Sequence, residues 1–132
     1  MILFVCTGNT CRSPMASALA RSWGYDAYSA GLAVWPGSPA TPQARRAVQR
    51  HGGDLSGHRA QPVTEALVRS ADVLYAMSPD HVRALTARFP GAAPRIRALE
   101  PAVPDPYGGD DAVYEECILH IIDALKNIGI TP

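Results

Sequence analysis

The sequence predicts an α/β protein built on a mainly parallel sheet. Short apolar runs alternate with helical patterns, and three of the helical patterns begin at a Ser-Pro or Thr-Pro pair. Strands that alternate with helices are typical of βαβ units, whose strands run parallel. The length of 132 residues, with 47% apolar and 18% charged residues, suits one compact domain over residues 1–132.

The first half of the chain is predicted to hold two strands and two helices. Residues 2–5 are continuously apolar, as in a strand buried on both faces. Ser13 before Pro14 is typical of an N-cap followed by the first helical position, and Gly24 ends that helical pattern. A second helix is predicted in the same way, beginning at a Thr-Pro pair and ending at a Gly-Gly pair. The predicted elements are a strand at 2–5, a helix at 14–23, a strand at 25–29 and a helix at 42–51.

The second half is predicted to add two strands and three helices. A Ser-Pro pair at Ser78 predicts the start of a helix that lies between the two strands of this half. The last helix repeats apolar residues three and four positions apart, which makes one broad buried stripe. The predicted elements are a helix at 64–70, a strand at 72–77, a helix at 79–88, a strand at 95–99 and a helix at 112–128.

Charge and composition exclude several classes of function. Twelve Lys and Arg balance twelve Asp and Glu, so no overall positive field attracts nucleic acid. No apolar run approaches the ~20 residues that cross a bilayer, and the opening run to Cys6 lacks the basic leader of a signal peptide. Three cysteines fit a reducing compartment better than a disulfide framework, and no Cys or His spacing suggests a metal site. We expect a cytoplasmic protein with no metal, no membrane and no nucleic-acid partner.

The strongest chemical signal follows the first strand. A doubly wound sheet places its site at the carboxyl ends of its strands, which points to Cys6. Backbone N–H groups of 7–11 can form an anion nest, where Gly8 allows a positive φ or close approach of an anion and Asn9 tolerates a left-handed backbone. The dipole of the next helix and the planar fork of Arg12 add positive charge. We therefore expect Thr7, Gly8, Asn9, Thr10, Cys11 and Ser13 to bind phosphate.

This arrangement predicts that Cys6 is a nucleophile. A positive field lowers the pKa of Cys6 and makes it a thiolate, which can attack a bound phosphoryl group in line. Water then hydrolyses the cysteinyl-phosphate. Ser13 is predicted to cap the helix and to donate to the thiolate, which helps the sulfur to leave. A buried structural cysteine is the alternative interpretation.

The run Val5–Pro14 is similar to the nucleophile loop of the low-molecular-weight protein tyrosine phosphatase family. The likeness continues in chain order through four further segments, Ser29–Gly31 with Trp35, Leu55–Ala60, Asp72–Ser78 and Asp105–Tyr107. The resemblance implies a three-layer α/β/α fold around a four-stranded parallel sheet. It also implies a cysteine-dependent, metal-independent phosphatase that needs no cofactor, acts on phosphorylated proteins and releases phosphate. We expect it to be a monomer.

Asp105 is the predicted proton donor. Pro104 and Pro106 restrict the backbone around it, and a carboxylic acid is needed to protonate the departing group and later to activate water. The family places its acid in the matching Asp-Pro-aromatic motif. An ordinary Asp-Pro turn is the alternative, and Asp110 and Asp111 are predicted to cap the last helix.

The sequence leaves two substrates open, phosphoarginine and phosphotyrosine. Trp35 and Tyr107 are predicted to wall the pocket, and aromatic walls suit a phenyl ring and a guanidinium alike. Thr10 stands where most tyrosine phosphatases of the family carry Ile, and the loop resembles that of bacterial protein-arginine phosphatases. Its hydroxyl can accept from a guanidinium N–H or orient water. Thr10 thus favours phosphoarginine, whereas Trp35 matches the tyrosine-specific members.

Two further residues have predicted roles, and two other functions compete. The resemblance implies a reversible disulfide between Cys11 and Cys6, with a small buried residue as the alternative for Cys11. His58 is predicted either to anchor the nucleophile loop through Asn9 or to be purely structural. An arsenate reductase on this fold needs two relay cysteines, which residues 77–89 lack. A phosphate-binding module would lack the nucleophile or the acid.

Overall fold

A four-stranded parallel sheet forms the centre of the computed structural model, which describes residues 1–132. The strands lie in the order β2-β1-β3-β4, and every neighbouring pair is parallel. The strands are β1 (Ile2–Cys6), β2 (Ala27–Gly31), β3 (Val73–Ala76) and β4 (Ile96–Ala98). The helices are α1 (Arg12–Ser22), α2 (Pro42–Arg50), α3 (Glu65–Ser70), α4 (Pro79–Arg88) and α5 (Asp111–Asn127), with a short 3₁₀ helix at Pro90–Arg95.

The predicted class, element order and parallel sheet are confirmed, and most helix starts lie where the caps indicated. Thr41, Thr64, Ser78 and Asp110 each accept a backbone N–H from the first turn of the helix that follows. The second strand begins two residues later than predicted, and the 3₁₀ helix was not predicted. None of the five α-helices combines the length and apolar character needed to cross a bilayer.

The predicted start of the first helix was wrong. Its N-cap is Cys11, which makes no side-chain cap hydrogen bond, and α1 begins at Arg12. Ser13 therefore lies inside the first turn, where its hydroxyl is free to bond elsewhere. That hydroxyl meets Cys6 and Asn9 instead of the helix backbone.

Both faces of the sheet are buried, which produces the three layers that the family resemblance implied. Phe4 and Cys6 of β1 face a core shared with α1, α2 and α5. Leu3 and Val5 of the same strand face a second core shared with α3 and α4. Because alternate residues of a strand point to opposite faces, this one apolar run serves both cores.

The carboxyl ends of the central strands gather the candidate site. Cys6 is the last residue of β1, and the neighbouring strands β2 and β3 end at the same edge. The chain after β4 is tied to this edge because Leu99 N–H donates to the carbonyl of Ala76 and Val103 N–H to that of Met77. The segment that carries Asp105 is thereby brought beside the loop that follows Cys6.

Candidate active site

The loop between β1 and α1 curls around a cavity of about 210 Å³. Every residue from Cys6 to Arg12 lines this cavity, and Asp105 and Tyr107 complete its wall. The structure thus brings the predicted acid to the same pocket as the nucleophile and the arginine, although the acid lies more than ninety residues after them in sequence.

The thiol of Cys6 is buried and has one close side-chain partner. Its Sγ lies 2.9 Å from Oγ of Ser13, and that same oxygen accepts from Nδ2 of Asn9, also at 2.9 Å. The Ser13 hydroxyl also lies 3.5 Å from the carbonyl of Ala30, and toward an ionised sulfur it can act only as the donor. The predicted contact between Ser13 and the nucleophile is present, but the prediction that Ser13 binds phosphate was wrong, because Ser13 is fully buried and does not line the cavity.

Burial raises the pKa of the Cys6 thiol above its ordinary value. Hydrogen bonds from the side chain and backbone of Ser13 act in the opposite direction, as do the Arg12 guanidinium and the Asn9 backbone. Our expectation of a net depression was therefore wrong, because the loss of water around the sulfur outweighs these groups. These interactions with Ser13, Arg12 and Asn9 are the ones that stabilise the Cys6 thiolate when it forms.

Asn9 holds the loop in shape. It is fully buried with a φ of 57°, so the predicted left-handed backbone is present, at Asn9 and not at Gly8. Its amide nitrogen donates to Ser13 and Ser29, and its oxygen accepts the N–H of Gln61 at 3.0 Å. Every polar group of this side chain is thereby bonded, which removes the cost of burying it.

His58 and Gly31, from two neighbouring segments, contact the backbone of the same part of the loop. His58 Nε2 donates to the carbonyl of Asn9 at 2.7 Å, and burial lowers the pKa of His58, so the contact forms with a neutral ring. Gly31, at the end of β2, lies so close that an added Cβ would stand 2.6 Å from the carbonyl oxygen of Thr7. Only glycine allows this approach.

Arg12 is buried and held at both ends of its guanidinium. Nη1 donates to the carbonyl of Val103 at 3.2 Å, and Nη2 lies 3.8 Å from Oδ2 of Asp105. The side chain is 9% exposed, against 57% for Asp105. Arg12 is therefore fixed in the cavity wall, whereas the acid reaches into it from the solvent side.

The acid loop is anchored at Val103, which bonds Met77 and Arg12, and exposes its tip around Asp105. Asp105 Oδ1 accepts the N–H of Tyr107 at 3.1 Å, which makes a local turn. Tyr107 lines the cavity but is 73% exposed. The prediction for Trp35 is not met, because its side chain is 84% exposed and the cavity wall does not include it. The loop 32–41 carries this side chain into solvent instead.

Thr10 and Cys11 form the deeper part of the wall. The Thr10 hydroxyl lies 3.7 Å from Cys11 Sγ, and no oxygen or nitrogen of the protein bonds it. Cys11 Sγ lies 3.2 Å from the hydroxyl of Tyr114. Burial raises the pKa of this tyrosine. All three cysteines are free thiols, and Cys117 lies in the core as predicted.

Four residues that support the active site were not predicted from the sequence. Ser29 and Gln61 bond Asn9, Val103 bonds Arg12, and His81 bonds Thr7. Three of these contacts use backbone atoms or small hydroxyls, which leave no residue pattern. His81 could have been found, because it follows a strong Ser-Pro helix start at the carboxyl end of a strand beside β1.

Comparison with known proteins gives a consistent result. A family model described as low molecular weight phosphotyrosine protein phosphatase matches residues 1–129. The chain is 40% identical to a probable low molecular weight protein-tyrosine-phosphatase, EpsP, of Ralstonia solanacearum, over 91% of this chain and 87% of that protein. It is 36% identical to a protein-arginine-phosphatase of Bacillus subtilis, over 96% of this chain and 93% of that one.

Solved structures agree with the sequence relatives. The YwlE arginine phosphatase from Geobacillus stearothermophilus superposes with a TM-score of 0.91 at 31% identity, covering 96% of this chain and 88% of that chain. The fold, including the four-stranded parallel sheet and its flanking helices, is therefore shared over nearly the whole length.

Proposed function

This chain belongs to the low molecular weight phosphotyrosine protein phosphatase family, and from that premise we propose that Cys6, Arg12 and Asp105 carry out its reaction. It is a cysteine-dependent protein phosphatase, and its substrates are phosphorylated proteins. The observation that supports the assignment best is the position of Cys6, which lines one cavity together with every loop residue through Arg12 and with Asp105.

The first step transfers phosphorus to sulfur. The Cys6 thiolate attacks the phosphorus atom, so that a P–S bond forms while the bond from phosphorus to the departing nitrogen or oxygen breaks. Arg12 and the loop N–H groups hold the phosphoryl oxygens and stabilise the charge that builds on them. Asp105 gives its proton to the departing atom. The products of this step are cysteinyl-phosphate and the dephosphorylated side chain.

The second step returns the enzyme to its starting state. Asp105, now a carboxylate, takes a proton from water as the water oxygen attacks phosphorus. The P–S bond breaks, inorganic phosphate is released, and the electron pair stays on sulfur. Ser13, 2.9 Å from Sγ, donates its hydrogen bond to the departing thiolate.

We propose phosphoarginine as the preferred substrate. Thr10 lines the phosphate cavity, and its hydroxyl, whose one protein partner is the Cys11 sulfur, can accept a guanidinium N–H or direct water. Asp105 lies at the cavity mouth, where its carboxylate complements a cationic guanidinium; the protonated form of the same group gives its proton to the departing nitrogen. Phosphotyrosine remains the second candidate, because Tyr107 offers a flat wall at the mouth and the Ralstonia relative is named a tyrosine phosphatase.

The reaction class is tested by hydrolysis of p-nitrophenyl phosphate. We expect activity that survives EDTA and is abolished in Cys6→Ser. Cys117→Ser is the matched control, because Cys117 lies on α5 outside the cavity, with its pKa raised to about 12 by burial. Equal losses in the two variants, or activity in Cys6→Ser, would remove Cys6 from its role.

The substrate is tested with phosphoarginine and phosphotyrosine peptides of one sequence. We expect the wild type to favour phosphoarginine in kcat/KM, and Thr10→Ile to move the ratio toward phosphotyrosine by about tenfold, the scale of one methyl group in a pocket. Thr131→Ile, at the exposed end of the chain, is the control. A wild type that hydrolyses phosphotyrosine alone would refute the phosphoarginine proposal.

A further inference from the structure

A buried histidine outside the nucleophile loop bonds a side chain of that loop. His81 lies in the first turn of α4 and is 8% exposed, and its Nε2 is 2.9 Å from Oγ1 of Thr7. Thr7 directly follows the nucleophile and lines the phosphate cavity. Its position is fixed by the backbone as well, because its carbonyl accepts the N–H of Ala33 at 3.0 Å.

The other ring nitrogen of His81 indicates where the ring carries its proton. Nδ1 lies 2.6 Å from Oγ of Ser78, the N-cap of α4, and that oxygen already accepts the backbone N–H of His81. A Ser78 hydroxyl that donates to Nδ1 leaves the ring proton on Nε2, and this is the tautomer that the spectra described below test. Burial and the Arg12 guanidinium lower the pKa of His81, with Asp105 opposing them, so the ring is neutral near neutral pH.

We infer that His81 is a positioning residue that turns the Thr7 hydroxyl into a hydrogen-bond donor toward the bound phosphoryl group, an inference that rests on the proposed function. Nε2–H donates to the Thr7 oxygen, so the Thr7 proton points away from the ring and toward the cavity. With the proton pointing to the ring instead, Thr7 would present only lone pairs to an anionic oxygen. A donor facing a charged acceptor makes one of the stronger hydrogen bonds in proteins.

Asparagine and glutamine at position 81 separate this role from simple packing. The amide of Gln can occupy the place of Nε2 and donate to Thr7, whereas the shorter Asn reaches only the place of Nδ1 beside Ser78. We expect His81→Asn and Thr7→Val each to lower kcat/KM about tenfold and to raise the inhibition constant of inorganic phosphate by a similar factor. His81→Gln is expected to recover most of that loss. Equal effects of Asn and Gln would contradict the inference.

A double variant tests whether the two residues act through one hydrogen bond. In a Thr7→Val background, His81→Asn is expected to cause no further loss, because the hydroxyl that His81 orients is gone. A second tenfold loss in the double variant would show that His81 acts by another route. Urea unfolding of the four proteins verifies that each is folded under the assay conditions.

The tautomer is measured independently of activity. Long-range ¹H–¹⁵N correlation spectra of the imidazole rings, assigned by the signal missing in His81→Asn, should show a protonated Nε2 and an unprotonated Nδ1 at pH 7.5. The opposite tautomer would overturn the inference. A wild-type protein without phosphatase activity, or phosphatase activity that survives in Cys6→Ser, would refute the proposed function. A Cys6-dependent enzyme whose Thr7→Val variant equals the wild type would refute only this inference.

Discussion

The two loops that form the active site are built in opposite ways. In the nucleophile loop, residues 6–12, Asn9 is fully buried and each polar group of its side chain is bonded. In the acid loop, residues 103–109, Asp105 is 57% exposed and its carboxylate accepts from the neighbouring Tyr107, itself largely exposed. The nucleophile loop is bonded along its length to surrounding segments of the protein, whereas the acid loop is anchored at Val103 and exposes its tip at Asp105 and Tyr107 to solvent.

The difference matches what each loop has to do. An anion site is effective when its donors point inward before the charge arrives, so that no reorganisation is needed during the reaction. The acid must exchange protons with water and reach a departing atom that belongs to another protein. We therefore expect changes in the nucleophile loop to lower stability and activity together, and changes in the acid loop to lower activity alone.

The largest effect is expected from Asp105→Asn. The amide cannot supply or take up the proton, so kcat on a phosphorylated peptide should fall by about 10²–10⁴. Its oxygen can still accept the N–H of Tyr107, and Asn lacks only the charge that faces Arg12, so the thermal midpoint should fall less than in the Asn9 variants. The loss should shrink on p-nitrophenyl phosphate, whose leaving group needs little protonation. A midpoint lowered as far as in the Asn9 variants below would break the contrast between the loops.

Asn9→Ala tests the other side of the comparison. It removes the partner of the Ser29 hydroxyl and of the Gln61 N–H, takes one of its hydrogen bonds from Ser13, and places alanine at a φ of 57°. We expect a loss of about 2–4 kcal/mol in the free energy of unfolding, measured with urea, together with a fall in kcat.

Asn9→Gly is the control for this substitution. It removes the same amide but accepts the left-handed backbone, so it should be more stable than Asn9→Ala by about 1 kcal/mol. If both variants kept wild-type stability, the hydrogen bonds of Asn9 would not be what holds the loop.

The nucleophile loop is also the part of the site that the sequence predicted best. A buried strand, a cysteine, an arginine and a helix start all lie within residues 2–14, so local chemistry specifies the loop. The caps at Thr41, Thr64 and Ser78 were predictable for the same reason, because a cap depends only on its own first turn.

The failures arise where tertiary contacts compete with local preference. Ser13 before Pro14 has the pattern of an N-cap, yet its hydroxyl bonds Cys6 and Asn9, and the helix starts earlier without a side-chain cap. The pKa of Cys6 was expected to fall because charges are visible in the sequence, whereas the burial that raises it is not. Trp35 matched a motif, but a match does not show which way a loop side chain points.

Ser13→Ala should produce the next largest effect. Because the Ser13 hydroxyl lowers the pKa of Cys6 against burial, its removal raises that pKa further. The rising limb of iodoacetamide alkylation should then shift to higher pH. Decay of the cysteinyl-phosphate should slow by about 10–100-fold, the range for a hydrogen bond to a charged group, as followed by burst kinetics.

Ser17→Ala is the matched control for Ser13→Ala. Ser17 is equally buried on α1, but its hydroxyl donates to the carbonyl of Pro14 at 3.0 Å and not to the nucleophile. Its alkylation profile should coincide with that of the wild type. A shift of the same size in both variants would mean that packing of α1, not the Ser13 hydroxyl, sets the ionisation of Cys6.

The smallest effect is expected from Arg46→Ala, which tests whether the acid loop depends on the helix that follows it. Arg46 makes a bidentate ion pair with Asp111 at the start of α5, directly after the acid loop. Both side chains are about half exposed, so the pair should contribute less than about 1 kcal/mol to the free energy of unfolding. Asp110 still caps α5 in this variant, so kcat should not change. A fall in kcat comparable to that of Asp105→Asn would mean that the exposed acid loop is held through α5 after all, and that it resembles the nucleophile loop more than its open geometry indicates.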